Sequence, residues 1–398
     1  MRIAYITPYQ GPTLDQRRPI VRNRSMSNRT KIELIARLLR SKAYDVEVFS
    51  HGEVIENELR FYSAFEEPQR FDPEIPVHYI SALPIRWLNG LWSSRRMVDL
   101  LRRRCEVAPF DVVIIFNLKR PQIACSRYAA RHHIPVILEY EDDAFRSVAG
   151  VSEPGLASPY YRRAYRNVLR LISGCIGVSP YLLSQVAPGI PKLLLRGVVG
   201  DDIRIESERQ RTCKKNIVLY AGTHTKSNGI EELIIAWRTA GLSDWELHVT
   251  GDGQMTEHLR RMAGETAGVV FHGLVSREVL VSLMCSAKVC INPQVASQTP
   301  GNLFAFKIIE YLAAGAHVIT TPMGTLEPEL ENGVTYMREN SPAVIASTLK
   351  DVIGARRYEA RGELGTQQAY GTATVSQRLD MLIREVVQGR VYEPDRVT

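Results

Sequence analysis

At 398 residues the chain is longer than one ordinary core and suits two domains. Its 45% hydrophobic and 23% charged residues fit a globular protein, and no run of 18 or more apolar residues suggests a membrane-spanning helix. The net charge of +7 is unevenly placed: residues 1–200 hold 29 Lys and Arg against 19 Asp and Glu, and residues 201–398 hold 21 against 24. Two accounts of the basic half stand, a solvated surface or a face that meets an anionic membrane or a phosphorylated acceptor. Nucleic acid is not expected, because no binding motif accompanies the charge. Six scattered cysteines, Cys105, Cys125, Cys175, Cys213, Cys285 and Cys290, form no C-x-x-C pair and read as free thiols. With a first strand starting at Arg2 and no apolar leader before it, a cytoplasmic location is expected.

The predicted elements alternate strand and helix from the first residues onward. Strands are expected at 2–7, 45–49, 111–116, 135–140 and 174–178, with helices at 30–40 and 122–132 between them. After the first strand comes Tyr9-Gln10-Gly11-Pro12, then a basic run of Arg17, Arg18, Arg22, Arg24 and Arg29. Those arginines suit a phosphorylated acceptor, and equally a solvated loop. From Arg86 to Arg104, Trp87, Trp92 and several leucines interleave with arginines, as in a helix lying on an anionic membrane or one packed on the core with a basic outer face. The strand at 135–140 runs into Glu139-Tyr140-Glu141-Asp142-Asp143. These acids either face a ligand, or cap the next helix and bind its basic neighbours.

A polar stretch from Gly200 to Lys215 reads as the domain boundary. Beyond it, strands are expected at 216–220, 246–250, 269–272, 289–291 and 317–320, with helices at 230–239, 256–262, 277–284 and 307–313, the last also readable from Phe304 to Leu312. The pattern predicts an α/β protein of two doubly wound, Rossmann-like domains facing across a cleft. Residues 1–200 would form the first and 201–375 the second, with a tail at 376–398 returning to the first. Ligands of such sheets sit outside the carboxyl ends of the strands.

Two clusters fall at such ends. The strand before Gly222 opens into Thr223-His224-Thr225-Lys226, where a glycine admits close backbone approach and a lysine suits a phosphate. The second cluster runs from Asn302 and Leu303 through Phe304, Lys307 and Glu310 to Gly315, as a helix whose amino end would offer free amides to a diphosphate. Glu310 sits among apolar residues, where a carboxylate needs a partner. It either pairs with Lys307, three residues earlier, or accepts two hydroxyls of a bound ribose.

Taken in order, Gly222 with Lys226, Gly251-Asp252-Gly253, Phe271-His272-Gly273, and Lys307-Ile308-Ile309-Glu310-Tyr311 closely resemble the retaining GT-B glycosyltransferases of family 4. The resemblance is strongest over residues 215–325. It implies transfer of a sugar from a nucleoside diphosphate sugar, UDP- or GDP-linked, to a hydroxyl of a glycan, lipid-linked or other anionic acceptor. It also implies no resident cofactor and no metal. Glu310 would hold the ribose hydroxyls and Lys226 would neutralise the leaving diphosphate. Gly273 and Leu274 would flank the base. Gly222, Thr223, His224, Gly251 and Lys307 would line the donor, with the amides of Leu303 and Phe304 toward its phosphates. Gly11, Arg17, Arg18, Glu141 and Asp142 would lie on the acceptor side.

The sequence departs from the family at three places. Asn302 stands where a glutamate usually contacts the transferred sugar, Thr223 and His224 replace an arginine, and Leu303 and Ala305 replace glycines. The rival readings are a nucleotide-sugar epimerase of the same fold and a non-catalytic binder of sugar nucleotides.

Overall fold

The structure, a computed structural model, describes residues 1–18, 26–52, 59–67, 75–85, 88–143, 159–264, 266–295, 304–322, 326–359 and 363–389. The chain divides into two compact units, Met1–Arg196 with Val375–Thr398, and Gly197–Thr374.

The first unit is built on eight strands: β1 (Arg2–Thr7), β2 (Asp45–Ser50), β3 (Phe65–Glu67), β4 (Val77–Tyr79), β5 (Val112–Phe116), β6 (Val136–Tyr140), β7 (Gly174–Gly177) and β8 (Lys192–Leu194). They lie in the order β3-β4-β2-β1-β5-β6-β7-β8. Only β3 runs antiparallel to its neighbour. Strands β5 and β6 are buried along their whole length, which explains the unbroken apolar run of β5 and of Val136–Leu138 in β6; a sheet covered on both faces leaves no polar side to alternate. The helix Thr372–Gly389 packs here from Val375 onward. Tyr44 donates to Asp380 Oδ1 at 2.5 Å, and Arg378 donates to the Leu194 carbonyl at 2.6 Å.

The second unit carries six parallel strands: β9 (Lys215–Ala221), β10 (Glu246–Thr250), β11 (Val269–Gly273), β12 (Ala287–Asn292), β13 (His317–Thr320) and β14 (Val334–Tyr336). Their order is β11-β10-β9-β12-β13-β14, the doubly wound arrangement whose direction reverses between β9 and β12. Leu233, Ile234, Trp237, Leu247, Val249, Val289 and Leu349 belong to one core that fixes the helices on the sheet. The strand ends beside the reversal point are where the chain leaves β9 at Ala221 and β12 at Asn292.

The helix expected at 307–313 spans Lys307–Ala313, and the reading that starts it at Phe304 is corrected. The Ile308 and Ile309 amides already bond to the carbonyls of Ala305 and Phe306, so a tight turn precedes it.

Candidate functional site

The second unit gathers its polar side chains around the β9 turn. Gly251 holds φ +125, and any Cβ there would strike the Gly222 carbonyl oxygen. Glycine is therefore required for the turns after β9 and β10 to touch. They are then tied together: the Gly222 amide donates to Thr250 O, His224 N to Asp252 O, and Met255 N to His224 O. Gly273 closes the β11 side, its carbonyl accepting from the Gly251 amide and the Thr250 hydroxyl. Leu274, the next residue, stands 68% exposed.

The helix Lys307–Ala313 supplies the other wall. Lys307, Glu310 and Tyr311 fall at helical spacing on one stripe. Tyr311 is fully buried; its hydroxyl accepts from the Ala221 amide at 2.9 Å and donates to the Ala221 carbonyl at 3.1 Å. It thereby fixes the residue just before Gly222. Lys307 carries its ammonium 4.6 Å from the Tyr220 ring centroid, and a Cβ on Gly222 would lie 2.8 Å from it. Desolvation lowers its pKa to about 8, and among the described residues no carboxylate pairs with it. A cation desolvated beside a glycine turn, with no counter-charge, is suited to an anion.

Glu310 does not pair with Lys307. Its Oε1 takes Arg277 Nη1 at 2.6 Å, and Arg277 Nε reaches Asp202 Oδ2 at 2.8 Å. Arg277 opens the helix Arg277–Ser286, started by the Ser276 side chain accepting from the Val279 amide. Burial raises the Glu310 pKa, and the Arg277 charge pulls it back down. The carboxylate is only 6% exposed. Arg277, Tyr311 and the Gly251–Gly222 contact are what sequence reasoning missed. Tyr311 was within reach, since it sits beside Glu310 in the motif. Arg277 lies 33 residues from its partner and carries no local signal.

Lys226 lies on the single turn Lys226–Asn228 after β9 and is exposed. That turn is anchored by the Asn228 side-chain amide on Thr223 O and by Val295 N on Ser227 O. Thr223 is exposed with its carbonyl used in these bonds. Two expectations change. His224 is 0% exposed, with Nδ1 2.9 Å from Thr256 Oγ1, Nε2 buried without a hydrogen-bond partner among the described residues and its pKa lowered by desolvation, so its ring sits inside the two turns and not on their surface. Phe304 is buried and lies three residues before the helix begins, so its amide is not one of the helix's terminal donors. Asn302 and Leu303 fall outside the described residues.

In the first unit, the ends of β1, β5 and β6 hold a second polar group. Glu139 is buried, bonded by the Tyr5 hydroxyl, and 3.4 Å from Lys31. Its acid is pushed up to about 7, burial being the main cause. Lys31 also binds Glu141, so the partner of that acid comes from the helix Met26–Ser41. Asn117 Oδ1 accepts from the amides of Glu141 and Asp142, and its Nδ2 donates to Asp142 at 3.4 Å. Gly11 donates to the Tyr79 hydroxyl at 2.9 Å, and nearby Glu67, Tyr79 and Tyr9 leave no room for a side chain.

The two arginines expected on the acceptor side part company. Arg17 is exposed, its guanidinium 4.5 Å from the Phe65 ring centroid. Arg18 is 1% exposed, and its two Nη atoms donate to the carbonyls of His51, Gly52, Ser63 and Ile80. It therefore joins loops from within instead of standing exposed as an acceptor-side contact. Arg22, Arg24, Arg86 and Trp87 fall outside the described residues. Trp92 bonds the Ser81 carbonyl at 3.2 Å and packs edge-on to Phe61, while Arg95, Arg96, Arg102 and Arg103 line the outer face of the helix Asn89–Val107. Among the described residues no helix is long and apolar enough to cross a membrane, and no group of three or more His, Cys, Asp or Glu is placed to hold a metal.

Comparison with known proteins gives a consistent picture. The family model for group 1 glycosyl transferases matches residues 215–354, and that for the glycosyl transferase 4-like domain matches residues 29–191. No curated protein matches the chain in sequence. Among solved structures, sucrose-phosphate synthase from Thermosynechococcus elongatus superposes with a TM-score of 0.69 at 15% identity, covering 98% of this chain and 100% of its own. Anabaena HepE, solved with UDP, gives 0.63 at 13% identity over 96% and 100%. The α,α-trehalose 6-phosphate synthase of Burkholderia multivorans gives 0.64 at 10% identity over 100% and 99%.

Proposed function

The chain belongs to the group 1 glycosyltransferases of the GT-B fold, and we propose on that premise that it is a retaining enzyme using a nucleoside diphosphate sugar as donor. The observation that carries the donor assignment is the desolvated Lys307 ammonium beside the Gly222 turn, with Tyr311 of the same helix bonded to Ala221, where the strand order reverses. In this reading Glu310 accepts the ribose hydroxyls and Leu274 covers the base. Lys307 and Lys226 face the diphosphate.

The bond between the anomeric carbon and the diphosphate oxygen breaks, and a new bond forms from that carbon to the acceptor oxygen on the same face. The acceptor proton passes to the leaving phosphate, so no protein base is needed. Negative charge grows on the diphosphate as the bond breaks, and cations already in place stabilise it without reorganising. The lowered pKa of Lys307 fits this role, since a desolvated ammonium gains most when an anion arrives. Five of the solved structures are described as UDP complexes or UDP-forming enzymes, which supports uracil as the first base to test.

The N-terminal unit, with its net charge of +10 over residues 1–200, would bind a glycan or lipid-linked acceptor bearing negative charge. Arg17, Glu141 and Asp142 are its candidate contacts. A cytoplasmic enzyme of polysaccharide assembly, resting on the inner face of a membrane, accommodates all of these features.

The test is product analysis with UDP- and GDP-linked sugars, with and without acceptor, reading anomeric configuration by NMR. A retained glycoside supports the reading. An epimerised donor formed without acceptor, or donor binding with neither transfer nor hydrolysis, overturns it.

A further inference from the structure

In the ligand-free fold, Glu310 is already engaged by a residue from another helix. We propose that Arg277 is a positioning residue that sets Glu310 to read the ribose of the donor, and so controls discrimination between ribo- and deoxyribonucleotides. The inference rests on the assignment of Glu310 to the ribose.

The geometry is specific. Arg277 bridges two carboxylates, with Nη1 on Glu310 Oε1 at 2.6 Å and Nε on Asp202 Oδ2 at 2.8 Å. Asp202 belongs to the helix Asp201–Gln210, so the guanidinium is held from a third element and cannot swing freely. A planar guanidinium forked between two acids fixes direction as well as charge, which a lysine cannot do.

A carboxylate buried as deeply as Glu310 would otherwise take up a proton. A protonated acid still meets a hydroxyl, but as a neutral partner, and charge-assisted bonds are roughly twice as strong. Arg277 occupies Oε1 on one side, and no other bond to the carboxylate is formed among the described residues. Glu310 can thus still accept hydroxyls while its charge is maintained. The charged groups in contact are Arg277 on the helix Arg277–Ser286 and Asp202 on Asp201–Gln210; Lys307, on Glu310's own helix, turns toward Tyr220 instead.

The experiment measures dissociation constants of UDP, GDP and their 2′-deoxy and 3′-deoxy forms by calorimetry, for wild type, Arg277→Met, Arg277→Lys and Glu310→Gln, between pH 6 and 9. Wild type should bind the tighter ribonucleotide roughly tenfold better than its deoxy forms, the size of one charge-assisted hydrogen bond. In Arg277→Met that preference should fall to about twofold at pH 6 and recover toward pH 9, as the unpaired Glu310 regains its charge. Arg277→Lys should lie between, because it keeps charge without the fork. A merely structural arginine would shift the thermal midpoint without making the preference depend on pH.

Failure has two distinguishable forms. If wild type shows no preference for the ribose, or Glu310→Gln leaves the preference intact, the ribose assignment of Glu310 falls and the proposal with it. If wild type discriminates, Glu310→Gln does not, and folded Arg277→Met behaves as wild type at every pH, the proposal alone is overturned.

Discussion

Lys307→Met tests the electrostatics of the candidate donor site most directly. The folded protein holds the Lys307 ammonium where its pKa falls from 10.5 to about 8. At 1.36 kcal/mol per unit, keeping it charged costs the ligand-free protein about 3 kcal/mol at pH 7. The contact with the Tyr220 ring returns about 1 kcal/mol of that. Methionine fills similar volume without the charge, so the variant should be more stable than wild type by about 2 kcal/mol at pH 7. The pH dependence has a definite sign. Between pH 8 and 10.5 the unfolded lysine holds more proton than the folded one, so wild type gains stability as pH rises through that window. The variant lacks this term, and its advantage should vanish above about pH 10.5. Urea unfolding at pH 7 and pH 10.5 reads both numbers. Binding of UDP or GDP should meanwhile weaken roughly tenfold, from the loss of one charge-assisted contact to phosphate. A variant that is less stable at pH 7, or equally advantaged at both pH values, would refute the reasoning. So would unchanged affinity for the diphosphate.

Lys226→Ala should lower turnover at saturating donor more than it weakens donor binding, because the diphosphate carries more negative charge in the transition state than in the bound donor; steady-state kinetics beside calorimetry separate the two. Arg18→Met should destabilise the protein by about 2–4 kcal/mol, since two buried and two part-buried carbonyls lose their donor; an exposed, ligand-binding arginine would instead move acceptor KM with little change in the urea midpoint. Arg95→Glu with Arg96→Glu should abolish flotation with vesicles rich in anionic lipid at low salt, and wild-type binding should fall as salt screens exposed charge beyond about 8 Å; wild type that never floats removes the membrane from the proposal. Asn302→Glu should shift donor preference from a uronic acid toward the parent neutral hexose, because a carboxylate at that position repels an anionic sugar; an unchanged ratio in direct competition would show that residue 302 does not read the sugar.

The sequence was readable where chemistry and secondary structure share a short segment. Strands β1, β5 and β9 carry continuous apolar runs, Gly222 and Gly251 follow β9 and β10 at once and Gly273 ends β11, so both the fold and the turns could be placed from residues alone. The shortest strands, β3, β4, β8 and β14, are three residues each, less than a period-2 pattern needs to declare itself. Residues 304–306 read as helix because Phe304 and Phe306 extend the apolar stripe, but their backbone closes a turn before Lys307 instead.

Side-chain partners were harder to place, and the reason is geometric. Glu310 required a partner on energetic grounds, and local spacing offered Lys307 three residues away. Helical neighbours three apart meet only when both side chains lean the same way. Here Lys307 leans toward Tyr220 and Gly222, and Glu310 toward the helix Arg277–Ser286, which sheet order sets beside it through β12. Arg18 is the opposite case: a basic run suggested an exposed anion site, yet four carbonyls from three separate loops converge where that one side chain lies. Nothing within five residues of either position encodes those meetings. They follow from which strands are neighbours, and a single sequence specifies that only through the whole fold. The consequence for the site is concrete. The residues that sequence marks, Lys226 and Glu310, are held by residues it does not mark: Tyr311 bonds Ala221 at the end of the strand that leads to the first, and Arg277 bonds the carboxylate of the second.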